Sequence, residues 1–143
     1  MNNRSNLTSI GLLLLRVAIG GLMLVHGTQK LMGFSELSTK FPDPLGMGSQ
    51  LSLISAIGAE VGCSLLLILG LGTRFAALPI AFTMIVALFL VHASDPWRVK
   101  ELAAVYLCVC LSLILTGAGE FSLDRLILKN KQSKRVEGVV PTG

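Results

Sequence analysis

Residues 12–29 read Leu12-Leu-Leu-Leu-Arg16-Val-Ala-Ile-Gly-Gly-Leu-Met-Leu-Val-His26-Gly-Thr-Gln29, a lipid-soluble run that carries one charge, Arg16. Between Arg4 and Lys30 there is no other charged residue. The next apolar run has the mirror-image composition: between Asp43 and Arg74 the only charge is Glu60. A lone charge near the middle of a membrane span costs roughly 2.5–3.5 kcal/mol on insertion scales, so each needs a partner or a use. The sequence alone offers each as the partner of the other. It therefore predicts a deep Arg16–Glu60 ion pair between the first two helices.

Working outward, four stretches of low charge appear, at about residues 8–29, 50–71, 75–94 and 102–118. Each has the length a helix needs to cross about 30 Å of hydrocarbon. The last two contain no Asp, Glu, Lys or Arg at all. With 52% hydrophobic and 14% charged residues, the chain reads as one all-α domain, a four-transmembrane-helix bundle over residues 1–128. A cleaved signal peptide is disfavoured, since Arg16 interrupts the first apolar run and His-Gly-Thr-Gln-Lys follows it where a small-residue cleavage site would stand. The segment 120–128 is expected to lie in the interface, and residues 129–143 to form a basic, disordered tail.

Four spans place both termini on one side. That side holds seven basic residues (Arg4, Arg74, Arg125, Lys129, Lys131, Lys134, Arg135), against four opposite (Lys30, Lys40, Arg98, Lys100), so both termini are expected in the cytoplasm. The net charge of +4 suits an anionic inner leaflet. It does not suit nucleic acid, because the basic run is short and has no aromatic platform. Gly58 and Gly62 form a Gly-xxx-Gly step, read with Gly11, Gly20, Gly21 and Gly27 as a sign of close helix packing. Cys108 and Cys110 lie about 200° apart on a helix and cannot share a metal or easily form a bridge.

The polar residues converge. At 100° per residue, Met23, His26, Gly27 and Lys30 share with Arg16 one face of the first helix about 100° wide. Counting from Gln29 and Gln50 as the outer ends of the first two spans puts Arg16 about 20 Å deep and Glu60 about 15 Å, while His26 and His92 are shallow. Two tiers follow: a deep Arg16–Glu60 pair, and a mouth ring of His26, Lys30, His92 and Glu101. These six residues are the candidate ligand-binding or proton-relay groups. No spacing ties metal ligands to one helix, so no metal site is expected, and no nucleotide, haem or nucleophile motif is present. The stiff Phe41-Pro-Asp-Pro-Leu-Gly46 loop reads as an ordered connector or as a cover for the bundle mouth.

Several motifs also resemble a known family. Leu-Leu-Arg16-Val-Ala-Ile-Gly, His26-Gly-Thr-Gln-Lys30, Phe41-Pro-Asp-Pro-Leu-Gly46, Ala59-Glu60, Leu69-Gly-Leu-Gly-Thr-Arg74, Asp95-Pro-Trp, Glu101-Leu-Ala-Ala-Val-Tyr106 and Thr116-Gly-Ala-Gly-Glu-Phe-Ser-Leu-Asp124 together resemble the DoxX family of small integral membrane proteins, from about Leu12 to Arg125. One departure is Thr-Gly-Ala-Gly, where many relatives have Gly-Pro-Gly. The resemblance implies a four-helix bundle in a bacterial-type inner membrane. It also implies, more loosely, an accessory or quinone-interacting subunit of a membrane redox system. Any electrons would then come from a partner protein, because the chain has no complete redox centre of its own. The alternative is a non-enzymatic scaffold or small-solute permease, in which a homo-oligomer would enlarge the cavity.

Overall fold

The computed structural model describes residues 3–137, and these contain helices and no strand. Helix α1 (Asn3–Met32) is followed by one turn, α2 (Phe34–Leu37), and then by α3 (Ser49–Leu69), α4 (Thr73–Val91), α5 (Trp97–Thr116) and α6 (Leu123–Glu137). Helices α1, α3, α4 and α5 are each long and apolar enough to span a membrane. The outward positions are occupied by side chains such as Leu14, Phe75, Phe89 and Leu115, which are more than half exposed. In water such a surface would aggregate; in lipid it is the expected one.

The expected elements shift at their ends. The first helix runs past Gln29 to Met32 and is continued by α2, so the outer loop begins only after Leu37. The fourth span starts at Trp97 rather than 102, because Pro96 supplies an extended residue before the first turn (φ −59°, ψ 151°). Trp97 is 64% exposed there, as suits an interfacial anchor. Pro79 lies in the second turn of α4. Its missing N–H leaves the Phe75 carbonyl without a helical donor. The stretch expected to be disordered from residue 129 is helical as far as Glu137; Lys, Arg, Gln and Glu favour helix wherever they are not driven apart. Residues 138–143 of that tail lie outside those described.

Packing has a definite register. α1 lies along α3, with Gly20 against Ser64 and Ile68 and Gly27 against Glu60 and Val61. A Cβ at Gly27 would stand 2.7 Å from the Val61 side chain and 2.9 Å from Cβ of Glu60. These glycines therefore let the two helices touch at that level. The Gly58–Gly62 step is not part of this contact: both residues are exposed and a Cβ on either would meet nothing within 4 Å. The core between α1, α3, α4 and α5 is built from Ile19, Met23, Leu67, Ala77, Ile80, Tyr106, Cys110 and Leu113. Cys110 is buried while Cys108 is exposed, as their separation round the helix requires.

Two segments depart from α-helical winding. Gly58–Cys63 within α3 and Ala87–Val91 at the end of α4 are π-helical, with one extra residue per turn. Such wide turns rotate the side chains that follow and cluster at functional sites. Glu60 sits in the first of them.

Candidate functional site

The half of the bundle away from the start of α1 and from α6, its outer half relative to them, holds a cavity of about 510 Å³. Its floor is polar: Lys30 and His26 from α1, Glu60 from α3 and Tyr106 from α5. Its walls are apolar, with Met23, Ala56, Ala59, Met84 and Ala103 among them. This combination, apolar walls around a few convergent polar groups, is that of a small-molecule site.

Glu60 is 2% exposed and forms an ion pair with the Lys30 ammonium, while its second oxygen, Oε2, is buried without a hydrogen-bond partner. Lys30 is 29% exposed and also lies over the ring of Phe41, 5.9 Å from its centroid. His26 meets Tyr106 edge to face, with ring centroids 6.1 Å apart. The floor is thus a four-residue cluster in which only Glu60 is restricted to accepting hydrogen bonds.

The cavity has a cover. Phe41, Pro42, Pro44, Leu45 and Met47 of the loop between α2 and α3 all line it, so the proline-rich loop does fold over the mouth. Asp43 holds this loop in shape. Its carboxylate accepts from the Ser52 hydroxyl at 2.7 Å, from the Gly48 amide at 2.7 Å and from the Met47 amide at 2.9 Å. These bonds, the Ser52 hydroxyl first and the Gly48 amide next, hold the Asp43 carboxyl below the usual carboxylate range. On the opposite rim His92 lines the cavity and its Nδ1 is 2.6 Å from the Asp95 carboxylate. Phe82, Val99 and Leu102 also belong to the wall, and all three are about half exposed on the lipid-facing surface. The cavity is therefore bordered by lipid as well as by the loop.

The inner half, on the side of α6, carries a second pocket of about 450 Å³, lined by Gly72, Arg74, Gly119, Ser122 and Asp124 but not by Arg16. Arg16 is fully buried, and its Nη2 donates to the Phe121 carbonyl at 2.6 Å. Gly70, in the left-handed region at φ 70°, closes α3 beneath the guanidinium; a Cβ there would overlap both Arg16 and Ser122. Leu71 N–H bonds to Leu66 C=O and Gly70 N–H to Leu67 C=O, the double bond pattern of a glycine-terminated helix. Asp124 completes this end: both its oxygens accept from the Gly72 amide, at 3.0 and 2.9 Å, ahead of the first turn of α4.

The expected Arg16–Glu60 pair is accordingly not formed. The register puts Arg16 level with Gly70, ten residues along α3 from Glu60 and about 15 Å away along the axis. The estimate from the sequence failed because it ended the first helix at Gln29. Continuing the first helix through Met32 and α2 to Leu37, eight residues beyond Gln29, slides every facing pair by roughly two turns, and Lys30 reaches Glu60 instead. The helical face shared by Met23, His26, Gly27 and Lys30 is real, and all but Gly27 line the cavity. Glu101 does not join the mouth ring: it is exposed, about 140° round α5 from the inward-facing Tyr106. Tyr106 itself was missed. It is the only tyrosine in the chain and lies in a charge-free span on the same face as Val99, Ala103 and Cys110, a signal that pointed to it.

Known proteins resemble this chain over most of its length. The DoxX family profile matches residues 11–93, more than half of the chain. A Haemophilus influenzae protein is 33% identical over 130 residues, covering 85% of this chain and 86% of its own length. A Bacillus subtilis protein that carries the provisional name oxidoreductase CatD is 32% identical over 128 residues, covering 89% and 94%. A Mycobacterium tuberculosis membrane protein is 30% identical over 130 residues, covering 80% of each. No solved structure matches significantly.

Proposed function

The chain belongs to the DoxX family of multi-pass integral membrane proteins, and from that premise we propose that its outer cavity binds a quinone-type ring and that the protein serves as an accessory subunit of a membrane redox system. The observation that carries this reading is the cavity of about 510 Å³, apolar on its walls, polar on its floor and bordered by the lipid-facing residues Phe82, Val99 and Leu102. A ring with an apolar tail fits that shape, with the tail passing towards lipid and the ring over Lys30, Glu60, His26 and Tyr106. The name of the Bacillus subtilis relative points in the same direction.

A bound quinone would supply two-electron, two-proton redox chemistry. The chain's own contribution is positioning and proton handling. Lys30 and Glu60 set a fixed dipole across the floor, and Lys30 keeps N–H groups free for a ring oxygen. His26 and Tyr106 can each donate or accept, which suits a group that changes its protonation. The Phe41–Met47 loop shields the floor from the aqueous side. Electrons come from a partner protein. In this reading both termini are cytoplasmic, in an inner-type membrane, so the cavity opens on the outer half; the seven-to-four distribution of basic residues supports that orientation.

A scaffold role draws support from the opposite end, where the structure is sealed around Arg16 and α6 carries Lys129 and Lys131 outward. Solvent extraction of the mildly solubilised, purified protein separates the two. Near-stoichiometric quinone that disappears in Glu60→Ala supports the redox reading and places the ring at the floor. Absence of quinone from both samples shifts the reading to the scaffold.

A further inference from the structure

We propose that the cavity selects the hydroxyl-bearing, reduced form of its aromatic ligand over the carbonyl form, and that Glu60 is the residue that selects it. The inference rests on the quinone-site reading and sharpens it to one redox state.

The argument is an inventory of donors and acceptors on the floor. Tyr106 and His26 adapt to either form, since a phenol and a neutral imidazole can donate or accept. Lys30 only donates, but one N–H is engaged by Glu60 and the ammonium sits at the more open side of the cavity, 29% exposed. A missing partner there is readily replaced by water. Glu60 only accepts and is 2% exposed, with Oε2 buried and unpartnered. The last torsion of a glutamate is soft, so a small turn of the carboxylate presents Oε2 to the cavity without breaking the Lys30 contact. A ring hydroxyl there satisfies a buried charged acceptor. A ring carbonyl places oxygen against oxygen. The cost of leaving such a group unsatisfied is large compared with that of a neutral hydrogen bond in water, so this contact decides the preference.

The magnitude follows from hydrogen bonds to charged groups, which correspond to roughly tenfold to hundredfold in affinity. The full chain in lipid nanodiscs is titrated by calorimetry, under anaerobic conditions, with a decyl-tailed 1,4-benzoquinone and with its hydroquinone. Empty nanodiscs correct for partition into lipid, and the identical tails cancel the remaining apolar contribution. The expected result is saturable binding with the hydroquinone at least tenfold tighter. Equal affinities, or a tighter quinone, overturn the inference and leave the quinone-site reading standing. Saturable binding of neither removes that reading, and the inference with it. Glu60→Gln adds an N–H donor at the same position and is expected to bring the two affinities within about threefold of each other. Retention of the full preference in a folded Glu60→Gln variant would overturn the role of Glu60. The comparison on the unaltered protein needs no variant to fold.

Discussion

The two ends of the bundle each bury one charge contributed by a different helix, and they treat it in opposite ways. At the inner end Arg16 is enclosed by Gly70, Phe121 and Ser122, and does not line the pocket that Ser122 and Asp124 border there. At the outer end Glu60 is held by Lys30 on the floor of a cavity of about 510 Å³. A buried charge packed on all sides is architecture: it fixes the turn between α3 and α4 and ties it to the start of α6. A buried charge facing a cavity is available for chemistry. Burial alone does not distinguish the two, and neither does the sequence, where both look like isolated charges in apolar runs.

The largest effects are expected at the inner end, on stability. Arg16→Ala empties a fully buried site and strands the Phe121 carbonyl, and is expected to destabilise the protein by about 3–5 kcal/mol, read as loss of folded protein in membranes. Near-normal abundance would break the contrast at its stronger end. Gly70→Ala forces a Cβ onto the guanidinium at positive φ and should cost about 2–4 kcal/mol in thermal unfolding of the solubilised protein. Asp124→Ala, which removes the acceptor for the Gly72 amide, should cost about 1–2 kcal/mol in the same assay.

At the outer end the effects should fall on ligand and not on fold. His26→Ala is expected to change unfolding by no more than about 1–2 kcal/mol, because His26 is only half-buried, while abolishing whatever phenotype the intact gene complements. Full complementation would remove His26 from the site. The smallest effect concerns the covering loop. The Asp43 carboxyl is held below its ordinary range, so its contribution to loop order is fully present above the unfolded-state value of about 4 and is lost as pH falls through the lower folded-state value. Ligand affinity should weaken below about pH 4 in the intact protein, and Asp43→Asn should remove that pH dependence.

The contrast also shows how far the sequence could be read. Four spans, the inward face of Met23, His26 and Lys30, and the covering role of Phe41–Gly46 all follow from composition, helical period and proline geometry. The partner of each buried charge did not. Pairing across two antiparallel helices depends on where the first one stops, and α1 together with the turn of α2 runs eight residues beyond Gln29, to Leu37. That offset of eight residues at the loop becomes about 12 Å at a facing pair. The π-helical turn at Glu60 was equally invisible, because no local residue preference marks it. Lys30, assigned to the mouth, is the partner of Glu60, and that exchange puts Glu60 at the cavity and Arg16 at the opposite end of the bundle.

The most direct test is to measure bound quinone, oxidised and reduced together, per folded protein in three samples side by side: the unaltered chain, Glu60→Ala and the folded fraction of Gly70→Ala. Our account predicts near-stoichiometric quinone in the first and third and a marked loss in the second. Quinone retained in Glu60→Ala but lost in Gly70→Ala would contradict it, and would move the site to the Arg16 end.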